Sequence, residues 1–280
     1  MPLISSNPTP IVLTIAGSDS GGGAGIQADI KAISATGSYA CSAITAITAQ
    51  NTLGVSAVYP LPLEILEQQL DAIFCDIPVL AVKIGMLADA QIIALVAKKL
   101  RQYRPKWIVL DPVMISTSGH HLLAEDAVAT LKNKLLPLVS IITPNLPEAA
   151  VLVGMTEQEW QQNPQQGIAA LRQLDTQAVL LKGGHNHQQM DSDDLLIEVD
   201  NIHYFCAPRI ATKNTHGTGC SLSSAIASYL AQGHALKDAV EKAKHYIHQA
   251  ILHADQLKIG QGYGPVHHFY QLQMDKSEAL

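Results

Sequence analysis

Short runs of β-branched residues alternate along the chain with longer segments in which apolar residues recur every three or four positions. Ile11–Ile15 is the first such run, and Pro62–Phe74 carries the helical spacing most clearly. Runs of the first kind predict strands, and segments of the second kind predict helices. The predicted strands are 11–15, 39–48, 55–59, 81–84, 107–110, 141–143, 178–181, 195–199 and 202–206. The predicted helices are 26–36, 62–74, 90–103, 124–135, 167–174, 222–230 and 236–257.

This order of elements predicts one α/β domain with a mostly parallel central sheet and helices on both faces. We expect the domain to span residues 11–270, between an N-terminal tail at 1–10 and a C-terminal tail at 271–280. The last two strands flank Asp200-Asn201, which favours a hairpin. The Gln-rich stretch 158–166 is interpreted as a solvated connection.

The bulk composition agrees with a large globular core. The chain has 280 residues, of which 48% are hydrophobic and 15% charged, with a net charge of −6. No cluster of Lys and Arg is present, which disfavours a surface that follows nucleic-acid phosphates. The small-molecule partners of an enzyme are therefore a better expectation than nucleic acid.

Two segments and the cysteines indicate the cellular compartment in which the protein is expected. Residues 1–10 have neither the basic residue nor the apolar run of a secretory signal. Residues 32–63 carry no charge, yet turn residues interrupt them too often for a membrane helix, and we expect two buried strands there. The four cysteines are scattered without a Cys-x-x-Cys pair, so we expect neither a zinc site nor disulfides and assume a reducing cytoplasm.

Polar residues stand where several predicted strands end. Asp111 follows one strand, Asn145 and Glu148 follow the next, and Lys182 follows a third. Gln50 ends an earlier apolar run. Because open parallel sheets bind ligands at the carboxyl ends of their strands, these side chains are candidates for one site.

Each candidate also has a simpler interpretation. Asp111 and Gln50 could be turn residues, and Lys182 an exposed lysine. Asn145 and Glu148 have the spacing of a helix capping box, which is compatible with binding a hydrated metal ion. The four histidines of the loops and tail have no metal-ligand spacing and are interpreted as solvated; these are His185, His187, His267 and His268.

Two glycine-rich segments precede predicted helices. Ala16–Gly25 lacks the Gly-Lys-Ser/Thr ending of a P-loop and the spacing of a dinucleotide loop, although Asp19 and Asp29 place carboxylates nearby. In the second segment, Gly217 and Gly219 bracket Thr218, a turn that can direct backbone N–H groups and a helix dipole at an anion.

Cys220 follows that second turn. Its thiolate is expected to be favoured by the helix N-terminus. The simpler interpretation is a buried core cysteine at a plain helix start. Taken together, the glycine loop, the strand-end residues and this turn suit phosphoryl transfer without a Walker motif, where positioning and charge neutralisation carry catalysis.

Seven motifs, in order along nearly the whole chain, resemble the bacterial hydroxymethylpyrimidine/phosphomethylpyrimidine kinases of thiamine biosynthesis, a family of the ribokinase-like superfamily. The motifs are TIAGSDSGGGAGIQAD (14–29), AITAITAQNTLG (43–54), KIGM (83–86), LDPVM (110–114), ITPNLPE (142–148), LKGGH (181–185) and NTHGTGC (214–220). The resemblance implies a three-layer α/β/α ribokinase-like fold, usually dimeric. It also implies Mg²⁺-ATP-dependent phosphorylation of 4-amino-5-hydroxymethyl-2-methylpyrimidine to its monophosphate and then to the diphosphate.

The resemblance also implies roles for individual residues. Gln50 would read the pyrimidine, in a pocket lined by Ala24, Asp29, Met86 and Val113. Asp111, Asn145 and Glu148 would lie on the phosphate side, where Asp111 and Glu148 would hold Mg²⁺ through water. Lys182 would bind the ATP phosphates. The anion hole would be formed by Gly217, Thr218 and Gly219. Cys220 stands where most of the superfamily has an aspartate base. Ser20-Gly21 and the Gln-rich stretch depart from the family pattern and are expected to touch none of these residues.

Two other functions stay open. A pyridoxal or pyridoxine kinase could use the same scaffold, because its substrate is also an aromatic nitrogen heterocycle with a hydroxymethyl group. A non-catalytic sensor of pyrimidine or ATP would predict a damaged phosphate site, whereas every phosphate-side position is present here.

Overall fold

The computed structural model describes residues 8–114, 127–183 and 192–273. Nine strands within these ranges form one sheet in the order β3-β2-β1-β4-β5-β6-β7-β8-β9. The strands are β1 Ile11–Asp19, β2 Tyr39–Asn51, β3 Gly54–Pro60, β4 Ala81–Ile84, β5 Trp107–Leu110, β6 Ile141–Ile142, β7 Val179–Leu181, β8 Asp194–Ile197 and β9 Ile202–Phe205.

The middle of the sheet is parallel and its two sides are antiparallel. The strands from β2 through β1, β4, β5 and β6 to β7 pair in parallel. β3 pairs antiparallel with β2, and β8 and β9 extend the other side in antiparallel pairing. The predicted mostly parallel sheet and the β8–β9 hairpin are therefore confirmed.

Helices cover both faces of the sheet. The helices are α1 Gly25–Ala35, α2 Leu63–Asp76, α3 Ala90–Tyr103, α4 Ala127–Thr130, α5 Leu146–Val153, α6 Glu157–Gln162, α7 Pro164–Leu171, α8 Thr218–Ala231 and α9 Leu236–Leu252. One core cluster joins the sheet to α2–α7, and the other joins it to α1, α8 and α9. Successive residues of β1 divide between the clusters, Val12 on one side and Leu13 on the other, as side chains of a strand must.

Several element boundaries differ from the prediction. β2 continues through Asn51, because its last residues pair with β3 (Gln50 with Val55), so Gln50 is a strand residue and not a turn residue. α8 begins at Thr218, which puts Cys220 in its first turn. The helix predicted over 124–135 begins outside the described residues, and α4 continues into a π-helical turn at Leu131–Leu135.

Most of the Gln-rich stretch is helical, so its interpretation as a connection was wrong, whereas its expected exposure to solvent is confirmed at every residue of 158–166 except Trp160. A capping box between Thr156 and Glu159 starts α6, and Trp160 is buried from an otherwise exposed helix. Pro164 then starts α7 at the first helical position, where a missing N–H costs nothing. One capping box, one proline at a helix start and one buried indole thus accompany helix formation in a segment whose composition indicated a loop.

Two of the four histidines interpreted as solvated are buried. His267 and His268 are 4% and 5% exposed, and the Nε2 atom of His268 lies 2.8 Å from the Ser221 hydroxyl. His185 and His187 lie outside the described residues. Among the described helices none is long and apolar enough to cross a membrane. The uncharged stretch 32–63 contains the two predicted strands, β2 and β3, but the prediction that both are buried was wrong, because most residues of β3 are exposed.

Candidate active site

The carboxyl ends of the parallel strands bring the predicted phosphate-side residues together. Asp111 directly follows β5, and Lys182 directly follows β7. A parallel bridge between Asn145 and Lys182 lies in register three residues beyond the β6–β7 pair Ile142–Val179, which aligns these two strand ends. The amino-acid order alone thus delivers three polar side chains to one edge of the sheet.

Lys182 and Asp111 form a buried ion pair. The Lys182 Nζ lies 2.8 Å from Asp111 Oδ1 and 3.9 Å from Glu148 Oε2. The hydroxyl of Thr143 donates to the same Asp111 oxygen at 3.2 Å. Burial lowers the pKa of Lys182, but the two carboxylates outweigh it and raise the pKa overall, so the ammonium is charged. Lys182 is therefore not the exposed lysine of the simpler interpretation.

Asn145 and Glu148 form the capping box of α5. The Glu148 N–H donates to Asn145 Oδ1, and the Asn145 N–H donates to Glu148 Oε2, each at 2.9 Å. Burial raises the pKa of Glu148 to about 7, and the negative charge of Asp111 adds to this while Lys182 opposes it. The capping interpretation of the pair is confirmed, and the capping carboxylate also faces the Lys182 ammonium. Binding of a hydrated metal ion by this pair stays a prediction.

The second glycine turn lies against this ion pair. Gly217 has a φ of 80°, and it is the residue before the first turn of α8. A Cβ on Gly219 would lie 3.3 Å from Lys182 Nζ and 3.4 Å from Asp111 Oδ2, so the start of the helix adjoins the phosphate-side charges. The first turn of a helix leaves N–H groups without helical partners, which together with Lys182 forms a setting for an anion.

The expectation of a favoured Cys220 thiolate was wrong. Burial raises the pKa of Cys220 to about 11; Lys83 opposes this, whereas Asp29 and Asp111 add to it. The stabilisation expected from a helix N-terminus is smaller than the cost of placing a thiolate near two carboxylates in a partly buried position. The thiol is therefore protonated at neutral pH.

The pyrimidine-side residue Gln50 lies in a network that joins three parts of the chain. Its amide nitrogen is 3.2 Å from His216 Nε2, which in turn is 2.9 Å from Asp19 Oδ2. The hydroxyl of Ser20 donates to the Gln50 carbonyl at 2.7 Å and accepts from the Gln50 N–H at 2.8 Å. Ser20 thus contacts an assigned residue, contrary to the prediction for this variable position.

The other residues predicted to line the pyrimidine pocket differ in how deeply they are buried. Ala24 and Val113 are half-buried, and Met86 is buried next to Gly17 of β1. Asp29 has no exposed atom: it pairs with Lys83 at 2.8 Å and accepts from two hydroxyl groups. Its burial does not support the prediction that it lines the pocket, and places it beneath the surface instead.

Comparison with known proteins identifies the family of the chain. The family model described as phosphomethylpyrimidine kinase matches residues 19–267. The chain belongs to the phosphomethylpyrimidine kinase family. A hydroxymethylpyrimidine/phosphomethylpyrimidine kinase of Rhizobium meliloti is 52% identical over 94% of this chain and 98% of its own.

Solved structures of the superfamily share the fold. The ADP complex of Bacillus subtilis pyridoxal kinase superposes with a TM-score of 0.86 at 34% identity, covering 95% of this chain and all (100%) of its own. A phosphomethylpyrimidine kinase from Clostridium difficile gives 0.71 at 44% identity, covering 86% of this chain and 99% of its own. The three-layer ribokinase-like fold is thereby confirmed, and the protein is a kinase of this family.

Two residues of the site were missed by sequence reasoning. Lys83 is a lysine in the middle of the buried strand β4, and that position alone was a signal, because a lysine is almost never fully buried without a partner. His216 was quoted within a motif but given no role; nothing in its spacing indicated its contact with Asp19, which lies 197 residues earlier.

Proposed function

We propose that the protein transfers the γ-phosphoryl group of ATP to the hydroxymethyl oxygen of 4-amino-5-hydroxymethyl-2-methylpyrimidine. It then phosphorylates that monophosphate to the diphosphate, as a step of thiamine biosynthesis. The observation that carries the proposal is that Lys182, Asp111 and the Gly217–Gly219 turn lie together at one sheet edge. His216, the residue before Gly217, contacts the side chain of Gln50 and so connects this edge to the predicted pyrimidine reader. Membership of the family gives the substrate class.

ATP and Mg²⁺ are proposed to occupy the phosphate side. Asp111 and Glu148 offer hard oxygen donors, which suit a hydrated Mg²⁺ held jointly with phosphate oxygens; the described residues contain no cluster of three or more acidic, His or Cys ligands that would enclose a metal directly. When bound, Mg²⁺ neutralises charge on the phosphates. Lys182 and the Gly217–Gly219 turn supply the protein's own share of that neutralisation.

The adenosine part of ATP is proposed to lie in a recess next to the glycine turn. Asn214, three residues before Gly217, belongs to its wall and donates to Asp255 at 2.7 Å. The recess is lined by Ala211, Thr212, Lys213, Asn214, Asp255, Lys258, Ile259 and Gly260.

Cys220 is proposed to position the attacking hydroxyl group. A protonated thiol cannot accept a proton, whereas its sulfur and hydrogen can hold an alcohol in place. Phosphoryl transfer passes through a loose transition state and depends on positioning and charge more than on a strong base. This also suits the second phosphorylation, whose phosphate nucleophile already carries charge.

Pyridoxal is the second candidate substrate. The structural similarity to Bacillus subtilis pyridoxal kinase, with a TM-score of 0.86, exceeds that to the Clostridium difficile phosphomethylpyrimidine kinase, at 0.71. Sequence identity favours the pyrimidine kinases, at 44% and 52% against 34%. The pyrimidine is therefore proposed as the main substrate and pyridoxal as a side substrate.

An ATP-coupled assay with each substrate, followed by mass spectrometry of the products, tests the proposal. Addition of first one and then two phosphates to the pyrimidine, lost when EDTA removes Mg²⁺, is the expected result. Phosphorylation of pyridoxal alone would overturn it in favour of the second candidate. Calorimetric binding of pyrimidine or ATP without turnover would instead indicate a sensor.

A cytoplasmic homodimer is proposed as the working form. Apolar side chains on β2, on β3 and in the turn between them are exposed in the single chain: Ile47 (50%), Leu53 (70%), Val58 (39%) and Tyr59 (64%). Burial of these residues against a second copy would remove an apolar surface that is costly to expose. Light scattering of the purified protein should give twice the chain mass, and a monomer at all concentrations would contradict the proposal.

A further inference from the structure

The side chain of His216 joins the pyrimidine reader to the glycine turn. Its Nε2 atom lies 2.9 Å from Asp19 Oδ2 and 3.2 Å from the amide nitrogen of Gln50, and the ring is 12% exposed. Its backbone N–H donates to the Gly264 carbonyl at 3.0 Å, and the next residue is Gly217 of the turn. The histidine has no role in the function proposed above.

Asp19 determines which nitrogen of the His216 ring carries a hydrogen. Its carboxylate accepts backbone N–H groups from Gly21 at 2.7 Å, Gly23 at 3.0 Å and Ala24 at 2.8 Å. Burial raises the pKa of Asp19, but the hydrogen bonds from His216 and the amides outweigh it and lower the pKa overall. An ionised carboxylate only accepts, so the Nε2 atom facing it must carry a hydrogen.

The hydrogen on Nε2 in turn determines how the Gln50 amide is oriented. A ring nitrogen that carries a hydrogen has no lone pair with which to accept from the amide nitrogen. The amide atom 3.2 Å from Nε2 is therefore reassigned as the oxygen, which shares the Nε2 hydrogen with Asp19. The other end of the amide agrees: Thr48 uses its only hydroxyl hydrogen in a bond to the Ser18 carbonyl at 3.0 Å, which leaves it an acceptor toward Gln50. The oxygen and nitrogen of an amide exchange places in a half-turn, and the hydrogen-bond network decides between them.

We infer that His216, held by Asp19, orients the Gln50 amide with its oxygen toward the glycine turn, and so fixes how the pyrimidine is bound. The inference rests on the pyrimidine kinase function proposed above. His216 is a positioning residue in this scheme, since it acts on the substrate through Gln50.

The orientation has a consequence for the reacting group. A 4-aminopyrimidine presents a donor, the amino group, next to an acceptor, the ring nitrogen. With the Gln50 oxygen on the His216 side, the amino group lies on that side too. The 5-hydroxymethyl group is the next substituent beyond the amino group, so it points toward the turn that contains Gly217 and Cys220. The opposite amide orientation would turn it away.

A double-mutant cycle tests this coupling. Binding of the pyrimidine would be measured by calorimetry without ATP for wild type, Gln50→Ala, His216→Ala and the double variant, alongside the KM for ATP. We expect His216→Ala to weaken pyrimidine binding at least about tenfold, a hydrogen-bond-sized loss, and to change the KM for ATP less than about twofold. In the Gln50→Ala background the same change should cost less than about threefold.

A matched ligand separates positioning from general damage. The analogue without the 4-amino group, 5-hydroxymethyl-2-methylpyrimidine, cannot use the oriented oxygen, so His216→Ala should weaken its binding by less than about twofold. His216→Gln, which can present an N–H to Asp19, should retain most of the affinity for the amino-bearing pyrimidine. Thr48→Val acts on the other end of the amide, should repeat the loss, and replaces the alanine variant if circular dichroism shows that variant unfolded.

Each remaining outcome decides the matter. Additive losses in the double variant, or equal losses for the two ligands, would overturn the inference and leave the proposed function in place. Failure of the wild-type protein to bind the aminopyrimidine would overturn the proposed function, and the inference with it.

Discussion

At the scale of single residues, the site contains a fully buried ion pair, formed by Lys83 and Asp29. Lys83 and Asp29 have no exposed atoms and are 2.8 Å apart, and the carboxylate also accepts from Thr14 at 2.6 Å and Ser224 at 2.8 Å. Burial lowers the pKa of Lys83, but the Asp29 carboxylate and the nearby Asp111 outweigh it and raise the pKa overall. A buried charge of this kind is tolerated because every partner is present.

Removal of one member of this pair should therefore be costly. We expect Lys83→Met to lower the free energy of unfolding by about 3–5 kcal/mol, because it leaves the Asp29 carboxylate buried without its counter-charge. Urea denaturation measures the change. The double variant Lys83→Met with Asp29→Asn carries no buried charge and should be more stable than the single variant; equal stability would show that the pair is not coupled.

A second prediction at this scale concerns Cys220. If the thiol positions the hydroxyl group, Cys220→Ala should lower kcat by about 100-fold while the pyrimidine dissociation constant stays within about threefold. Cys220→Ser keeps a hydroxyl in place of the thiol and should retain activity within about tenfold of wild type. Steady-state kinetics and calorimetry measure both. A serine variant as inactive as the alanine variant would indicate that Cys220 acts as a base after all.

At the scale of elements, the two glycine segments are one unit. A Cβ on Gly217 would collide with the Gly23 carbonyl oxygen, and a Cβ on Gly23 would collide with the His216 ring. The loop before α1 and the turn before α8 therefore require glycine for close approach as well as for backbone angle. The carbonyl oxygen that would be struck belongs to the loop held by Asp19, so a change in one segment displaces the other.

A comparison of Gly217 with Gly233 separates the effect of close packing from the effect of a positive backbone angle. Gly217 and Gly233 both have positive φ angles, 80° and 92°, but only Gly217 has another segment against it, since nothing lies within 4 Å of a Cβ on Gly233. Gly233→Ala should cost only the strain of the backbone, about 1 kcal/mol, with unchanged kcat/KM. Gly217→Ala should lower kcat/KM by at least about 100-fold, because it displaces the turn proposed to bind the transferred phosphoryl group. Equal effects of the two variants on activity would contradict the close-packed arrangement.

At the scale of the whole molecule, the last described segment packs back onto the site. The Nε2 atom of His268 lies 2.8 Å from the Ser221 hydroxyl in the first turn of α8, and its carbonyl accepts from Tyr246 of α9 at 3.1 Å. Burial lowers the pKa of His268 to about 3, with Lys31 and His267 adding to this. The protein therefore folds with this imidazole neutral.

A neutral buried histidine makes stability depend on pH in a fixed direction. In the unfolded chain His268 gains a proton near pH 6.5, whereas in the folded protein it stays neutral until about pH 3. The stabilising contribution of the neutral imidazole is therefore fully present above pH 6.5 and is lost as the pH falls from 6.5 toward 3. Between pH 7.5 and 5.5 the contribution should fall by about 1 kcal/mol. Urea denaturation across this range would show it, and His268→Gln should flatten the dependence. An unchanged slope in that variant would contradict the assignment.

The sequence by itself determined the order of the strands and of every described helix except α6, the mostly parallel sheet and the sheet edge at which Asp111, Asn145 and Lys182 meet. It could do so because periodicity and strand ends are local properties, and parallel pairing aligns those ends automatically. The capping box of Asn145 and Glu148 was visible for the same reason, since its two members are three residues apart.

Only the tertiary structure decided the electrostatics of the site and the contacts within it. His216 meets Asp19 and Gln50 across 197 and 166 residues, and Lys83 meets Asp29 across 54, distances along the chain at which no spacing rule applies. The protonated Cys220 and the neutral His268 follow from burial. Desolvation depends on everything packed around a group, and so the same residues whose types were plain in the sequence acquired their charge states only from the fold.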